Sequence, residues 1–380
     1  MKSIAALLVG ACSICIFSLN VSALPAALAE KEPSLSAKCA VAMNYDTGEL
    51  ILSKNAFEKR AMASTTKIMT TLLTIEAGEL DRKFTVDSMA IRVEGTSMGL
   101  KEGYIVTRRA LCYGMMLPSG NDAANAAAVS VSGSIPEFVR LMNKRAAEIG
   151  MTDTNFVTPS GLDAEGHYST AYDMALLTRE ALKNETFRNI CSASTMTIDF
   201  GNPPVPRTLN NLNKLIDLYD GCIGVKTGFT DNARRCLVSA AQRGGVTVIA
   251  VTLNAPNDWD DHGKMLDYSF SKISPRRVTL KSHALEVVGG NTDVVTAVPE
   301  KSLTLGLTDL SAEKISVRYF LPDFVYADIS KGQELGYAEV YCGDSFIGRV
   351  RLLSDANCHR IEGKKGFLDG IISFFTGLFS

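Results

Sequence analysis

The sequence predicts an α+β fold followed by a small all-β domain. Two observations carry that expectation. Strands open the first two-thirds of the chain, apolar-faced helices fill its middle and strands return at its end, a layered order and not an alternating one. Beyond Pro275 the pattern changes to short β-branched runs broken by Gly, Pro and Asp. A length of 380 residues leaves room for one large core and a smaller one. The formal net charge of −2 offers no basic surplus for nucleic acid, so no nucleic-acid partner is expected.

The elements are taken in chain order. Met1-Lys2 leads into an apolar run from Ile4 to Leu19, and Ala26-Ala27-Leu28-Ala29 comes next. A positive start, an apolar stretch and an Ala-x-Ala site make residues 1–29 a secretory signal, cut near Ala29, with Ala23 as the second choice. Lys38–Asn44 and Leu50–Leu52 read as strands around the turn Tyr45-Asp46-Thr47-Gly48. Ser64-Thr65-Thr66-Lys67 opens a helix with Ile68, Met69, Leu72, Leu73 and Ile75 on one side and Gly78 as its stop. Further helices fit Arg108–Leu117, Ala123–Val131, Pro136–Ile149 and Thr170–Leu182. Strands return at Gly224–Lys226, Cys236–Gln242 and Thr247–Leu253, then a helix over Gly263–Ile273. These elements place the first domain at 35–273.

The second domain, 280–359, takes its strands from Val294–Ala297, Ser302–Leu307, Ile315–Tyr319, Ala338–Cys342 and Phe346–Leu353. Residues 364–380 close the chain. Phe367, Leu368, Ile371, Ile372, Phe374, Phe375, Leu378 and Phe379 fill one helical arc behind Lys364-Lys365. The segment is too short to span a bilayer, so it is expected to lie in the interface as a membrane anchor. Seven cysteines remain once the signal is removed, an odd number with no CxxC spacing, and the four histidines are far apart. No metal and no cofactor are expected.

The chemistry centres on Ser64 and Lys67. Three residues apart on a helix, they share a face one turn apart. A serine at a helix start feels a positive potential, and the free N–H groups there can hold an oxyanion. A desolvated lysine one turn deeper can lose its proton near neutral pH and take the one from Ser64. The pair alone says little, because Ser269/Lys272 and Ser311/Lys314 repeat it. Two further tripeptides narrow the choice. Ser119-Gly120-Asn121 comes after Pro118 between two apolar helices, with a hydroxyl and an amide suited to relaying a proton and gripping a substrate backbone. Lys226-Thr227-Gly228 is expected at a strand end, where a cation and a hydroxyl bind a carboxylate and Gly228 allows close approach.

Ala63-Ser64-Thr65-Thr66-Lys67, Leu117-Pro118-Ser119-Gly120-Asn121-Asp122 and Val225-Lys226-Thr227-Gly228-Phe229-Thr230 resemble the three active-site motifs of low-molecular-mass penicillin-binding proteins, serine-type D-Ala-D-Ala carboxypeptidases. Ser160–Asp163 through His167–Asp173 resembles that family's loop beside the active site. The small β domain and the amphipathic C-terminus match its layout. The resemblance implies a penicillin-binding-protein/serine β-lactamase-like domain, an antiparallel sheet with helices. It implies peptidoglycan stem peptides as substrate, β-lactams as covalent inhibitors, and secretion across the cytoplasmic membrane with tethering to its outer face.

Carried over by position, Ser64 is the nucleophile, Lys67 its general base, and Ser119 the relay to the departing D-alanine. Asn121 holds Lys67 and the substrate amide. Lys226, Thr227 and Gly228 bind the substrate end, and the backbone N–H groups of Ser64 and Phe229 form the oxyanion hole. Arg234-Arg235 stands where a Gly-aromatic pair is common, and Asp258-Trp259-Asp260-Asp261 where an arginine near the substrate carboxylate is expected. Either Arg234 or Arg235 substitutes, or that carboxylate is held less firmly.

Other readings are weaker. Gly95-Thr96-Ser97-Met98-Gly99 matches a nucleophile-elbow pattern, but no strand–turn–helix context surrounds it, and a glycine-bounded surface loop is expected. His167 is expected to hold local structure, and Asp173 serves either as a first-turn acid or as a loop stabiliser. A serine β-lactamase wants a deacylating Glu-x-x-x-Asn, whereas Glu165 is followed by Gly166-His167-Tyr168-Ser169. An inactive wall-binding relative would not need the complete residue set, and a DD-endopeptidase of the same family remains a close variant. Deleting residues 366–380 is expected to release soluble, active protein. If membrane fractionation still finds the truncated chain firmly bound, the anchor assignment is wrong.

Overall fold

In the strand Cys39–Asn44 every residue is buried, and two sizes of side chain alternate along it. Ala40 and Ala42 meet Val248, Ala250, Met265 and Leu266 on one face. Cys39, Val41 and Met43 join Ile68, Leu72, Ile249 and Val251 on the other. A period of two sends neighbours to opposite faces, so this strand has a core on both sides. The structure is a computed structural model describing residues 31–361. The expected signal segment and the 364–380 anchor lie outside the described residues.

Cys39–Asn44 belongs to a five-stranded antiparallel sheet in the order Leu50–Lys54, Cys39–Asn44, Val246–Leu253, Arg234–Arg243, Cys222–Thr230. Helix Asp258–Lys272 covers the alanine face, and Ala171–Ala181 packs on the opposite one. Lys67–Glu76 is enclosed more completely than its one-sided apolar pattern suggests, being buried at every residue from Lys67 to Ile75. Its polar side chains are satisfied internally: the hydroxyls of Thr70 and Thr74 donate to the carbonyls of Pro159 and Thr70, each at 2.6 Å. The surrounding helices, Arg108–Met116, Asn121–Ser132, Ile135–Ile149 and Ala171–Ala181, lie within a few residues of their expected bounds. Thr107, Ser134 and Thr170 cap three of them, each side chain taking an N–H of the first turn.

Two boundaries differ in ways that affect the site. The last helix of this layer begins at Asp258 and not at Gly263. Asp258, Asp260 and Asp261 place three carboxylates at its positive end, and Asp261 takes the backbone N–H groups of Ser36 and Ala37 at 2.8 and 2.9 Å. Lys226-Thr227-Gly228 lies inside its strand, not at the strand's end. Pairing continues because Phe229 and Thr230 stand opposite Arg235 and Arg234 in the hairpin.

A four-stranded sheet, Lys83–Thr85, Ile105–Thr107, Thr195–Gly201 and Pro204–Asn210, was not expected from the sequence. It flanks the helices on the side where the 94–100 loop sits. The remaining strands form a six-stranded sheet in the order Ile315–Phe320, Glu334–Cys342, Ser345–Ser354, Val294–Pro299, His283–Val288, Phe324–Tyr326, beside the pair Ser274–Val278 and Leu303–Leu307. That pair meets the first sheet at its Asn44–Glu49 turn. Asn44 Nδ2 donates to the Gly306 carbonyl at 2.8 Å, the Gly306 N–H to Asp46 at 2.7 Å, and the Thr308 hydroxyl to Glu49 at 2.9 Å. The first two bonds satisfy the N–H and C=O of Gly306 from side chains, the third joins two side chains, and together they fix where the β-rich part attaches.

Candidate active site

Ser64 sits in a 3-10 turn, Ala63–Thr66, that runs directly into the helix Lys67–Glu76. Ala63 is left-handed at φ 49°, and the Thr65 and Thr66 hydroxyls donate to the Met62 and Ala63 carbonyls at 2.6 and 2.8 Å. The turn is thereby pinned from its own side chains, with Ser64 half-buried at its apex. Gly228 of the neighbouring strand presses against it. A Cβ there would stand 3.1 Å from the backbone N of Ser64, the N of Thr65 and the Met62 carbonyl. A side chain at 228 would crowd this turn, and the facing backbone would have to give by a few tenths of an ångström.

The Lys67 amine lies in the interior and meets three oxygens: Ser64 Oγ at 2.9 Å, Asn121 Oδ1 at 2.7 Å and the Ser160 carbonyl at 2.6 Å. Burial drives its pKa well below the ordinary lysine value, the nearby Lys226 cation pushes the same way, and Asp122 opposes both. Lys226 is also buried, and burial alone brings it down to about 7. Its amine donates to the Thr227 carbonyl at 2.9 Å. Two lysines in one water-poor site disfavour each other's charged forms, so a neutral Lys67 beside a readily charged Lys226 is the accessible arrangement near neutral pH.

The second motif reaches this centre through strained backbone. Ser119 adopts φ 65°, which turns the chain sharply between the helices Arg108–Met116 and Asn121–Ser132. Gly120 fits only without a side chain, because a Cβ would approach Met98 N at 2.9 Å and the Gly114 carbonyl at 3.1 Å. Asn121 then holds Lys67 with its oxygen and the Glu94 carbonyl with its amide at 2.7 Å. Asp122 gathers the adjacent loop, accepting from Ser97 Oγ and from the backbone N–H groups of Met98, Gly99 and Leu100. The Gly95–Gly99 stretch is therefore a loop, as expected, but one that supports the site: Thr96 donates its hydroxyl to the Ser119 carbonyl at 2.6 Å and lines the cleft.

The 157–167 loop closes the back. Besides the Ser160 carbonyl on Lys67, the loop brings Gly161 so near Ala63 that a Cβ would overlap the Ala63 carbonyl. His167 Nδ1 accepts the Val157 N–H at 2.9 Å while Nε2 pairs with the Thr66 hydroxyl at 3.0 Å. Burial lowers the His167 pKa to about 4, so the ring is neutral and structural. Asp173 accepts from the Asp153 N–H and the Thr154 hydroxyl at 2.9 and 2.7 Å, which makes it both a first-turn acid and a brace for the segment that leads into this loop.

Residues 26–257 match the family described as D-alanyl-D-alanine carboxypeptidase, and residues 279–360 match the C-terminal domain of penicillin-binding protein 5. The chain belongs to the D-alanyl-D-alanine carboxypeptidase family. The D-alanyl-D-alanine carboxypeptidase DacF of Bacillus subtilis is 36% identical over 314 residues, 79% of this chain and 80% of its own length. The solved DD-transpeptidase of Streptomyces K15 superposes with a TM-score of 0.61 at 34% identity, covering 63% of this chain and 99% of that one. DacD of Francisella tularensis superposes at 0.62 with 25% identity over 87% of this chain and 95% of its own.

Within this family member, a cleft of about 360 Å³ opens above Ser64, Ser119, Thr227 and Gly228. All three motifs therefore meet, and Phe229 stands exposed at the rim. Sequence reasoning missed Leu212 and Lys214, which wall the cleft from a loop that carries no motif, and it set the 258–261 stretch near the substrate carboxylate without giving Trp259 a part in the cleft wall. Of the two arginines, Arg235 enters the cleft wall. It binds the buried Asp258 carboxylate through Nε and Nη2 at 2.9 and 2.8 Å and lies 5.5 Å from the Trp259 ring. Arg234 sits at the hairpin turn, exposed, at φ 59°. Asp258 is the one carboxylate among the cleft-lining residues, and Arg235 occupies it.

Proposed function

We propose that the chain is a serine-type D-Ala-D-Ala carboxypeptidase that removes the terminal D-alanine of peptidoglycan stem pentapeptides through an acyl-enzyme on Ser64. The observation that carries the reading is the enclosed Lys67 amine 2.9 Å from Ser64 Oγ, held by Asn121 and the Ser160 carbonyl. A neutral amine there takes the Ser64 proton as Oγ attacks the carbonyl of the penultimate D-alanine. The proton then passes by way of Ser119 to the nitrogen of the departing D-alanine, and water hydrolyses the ester. The Ser64 and Phe229 backbone N–H groups would hold the oxyanion, a term usually worth several kcal/mol.

Thr227 and Arg235 line the side of the cleft suited to a terminal carboxylate, with the buried Lys226 amine behind them on the Thr227 carbonyl and with Asp258 and Trp259 keeping the Arg235 fork in place. A β-lactam would acylate Ser64 and leave slowly. A β-lactamase is disfavoured because the single cleft carboxylate is already paired with Arg235. Action on cross-linked peptides as a DD-endopeptidase uses the same acyl-enzyme. So does transfer to an amine in place of water, the reaction named for the Streptomyces relative. Export through the 1–29 signal and tethering to the outer face of the membrane through 364–380 complete the reading, which would keep the cleft on the side where the wall polymer lies.

Incubation of the soluble form with a D-Ala-D-Ala-terminated peptide is expected to release free D-alanine, and Ser64→Ala to abolish both release and covalent β-lactam labelling with the fold intact by circular dichroism. Release that persists in Ser64→Ala would remove the nucleophile assignment. Arg235→Gln is expected to raise KM for the free-acid peptide about tenfold or more, roughly 1.4 kcal/mol, with little effect on a peptide whose C-terminus is amidated. An equal effect on both peptides would deny Arg235 the carboxylate.

A further inference from the structure

Apolar side chains gather on the surface beside Ile361, the last described residue. Val288 and Tyr326 are partners in the parallel pairing of His283–Val288 with Phe324–Tyr326, and the Phe324 ring meets that of Tyr326 edge-on at 5.4 Å. Val294 pairs with Glu286 and so shares the outward face of Val288. Exposure is 47% at Val288, 49% at Val294, 44% at Phe324 and 66% at Tyr326. Ile361, 58% exposed, joins them, since its N–H bonds the Gly289 carbonyl at 3.0 Å. The core of this sheet is served by the alternate residues Leu285, Val287 and Val295. The outward set is thus free to be polar, yet Glu286 is its one charged member among these paired positions.

Phe324–Tyr326 is also the edge of its sheet. Exposed edges are normally blunted by charge or covered, and here two aromatic rings mark it. The sequence beyond Ile361 points to the cover. After Glu362 and Gly363 come Lys364-Lys365 and then the apolar arc Phe367–Phe379. Three residues of chain span at most about 10 Å, so the expected anchor starts beside this patch. An amphipathic segment holds a membrane in proportion to the apolar area it buries, so further apolar area at the surface strengthens the attachment. A contact tethered next to the first adds to it as an intramolecular step. Tyrosine, apolar in body and polar at its tip, suits that depth. Glu286 stands within the patch, between Val294 and Phe324, and Asp293 and Asp328 flank it, all exposed, so attraction to anionic lipid is not what would hold it.

We infer that the face formed by Val288, Val294, Phe324, Tyr326 and Ile361 rests on the headgroup–acyl boundary of the bilayer as a second membrane contact, beside the C-terminal anchor. This rests on reading 364–380 as an anchor. Two contacts on one side of the β-rich part would fix its orientation on the membrane, where a single contact would not.

The test uses the full chain freed of its signal, with phosphatidylcholine vesicles carrying brominated acyl chains at high salt. In Tyr326→Trp, the introduced indole is expected to shift blue and be quenched on binding, while Trp259 of the unsubstituted chain is not. Val288→Ser with Tyr326→Ser should weaken partitioning about tenfold and leave D-alanine release from a soluble peptide unchanged. Vesicle binding with no quenching and an unweakened double variant would overturn the second contact and leave the anchor standing. An indole already shielded before vesicles are added, and unquenched after, would show that the chain covers its own patch and overturn it too. No vesicle binding by the full chain at all would overturn the anchor and the inference together.

Discussion

The burial of the Lys67 amine is the constraint on which the active site depends. An ammonium placed without water is costly, so the group either finds full compensation or gives up its proton. Here it has three oxygen partners and no carboxylate in contact, with a second buried lysine nearby. That combination favours a neutral amine against the Ser64 hydroxyl. Much of the local structure serves to maintain it. Asn121 needs the sharp Ser119-Gly120 turn, the Ser160 carbonyl needs the 157–167 loop, and the loop needs neutral His167 against Thr66. Asp122 sits close enough to oppose the shift, and by collecting four donors from the 97–100 loop it contributes to the fold as well as to the field.

The three motifs come from separate places: a 3-10 turn, an interhelical turn and the outer strand of the sheet. Gly161 and Gly228 ease their meeting, since each lies against the Met62–Thr65 backbone, where a Cβ has no room at 161 and would be tightly crowded at 228. The enclosing helices then supply rigidity. Ile68 and Leu72 lock the helix that follows Ser64 into the same core as Val41 and Val251 of the central strands, so Ser64 is referenced to the sheet that carries Lys226. The β-rich part touches this assembly at the Asn44–Glu49 turn through Gly306 and Thr308, away from the cleft, consistent with a supporting and not a chemical task.

Much of the fold was legible because its signals are local. The alternation in Cys39–Asn44, the Thr107, Ser134 and Thr170 caps and the Gly133 and Gly150 stops each act within a few residues. The four-stranded sheet was not, because Lys83–Thr85 and Ile105–Thr107 are three residues long and the second pairs with Gly201, far along the chain. The site divides in the same way. Ser64, Lys67, Ser119, Asn121, Lys226 and Thr227 stand in motifs, whereas Lys214 and Trp259 reach the cleft only through tertiary placement. Helix Asp258–Lys272 starts ahead of the expected Gly263, its three first-turn aspartates favouring a helix N-terminus. The open choice between Arg234 and Arg235 depended on strand register, which puts Arg235 opposite Phe229 and facing the cleft.

The ionisation of Lys67 is best measured through the chemistry it enables. In stopped-flow acylation of Ser64 by a β-lactam across a wide pH range, the rate should rise with pH as the amine loses its proton. The rise should level off at a pKa well below the 10.5 of an ordinary lysine. A rate still climbing above about pH 9, with its midpoint near the ordinary lysine value of 10.5, would contradict a neutral Lys67 as the base at neutral pH.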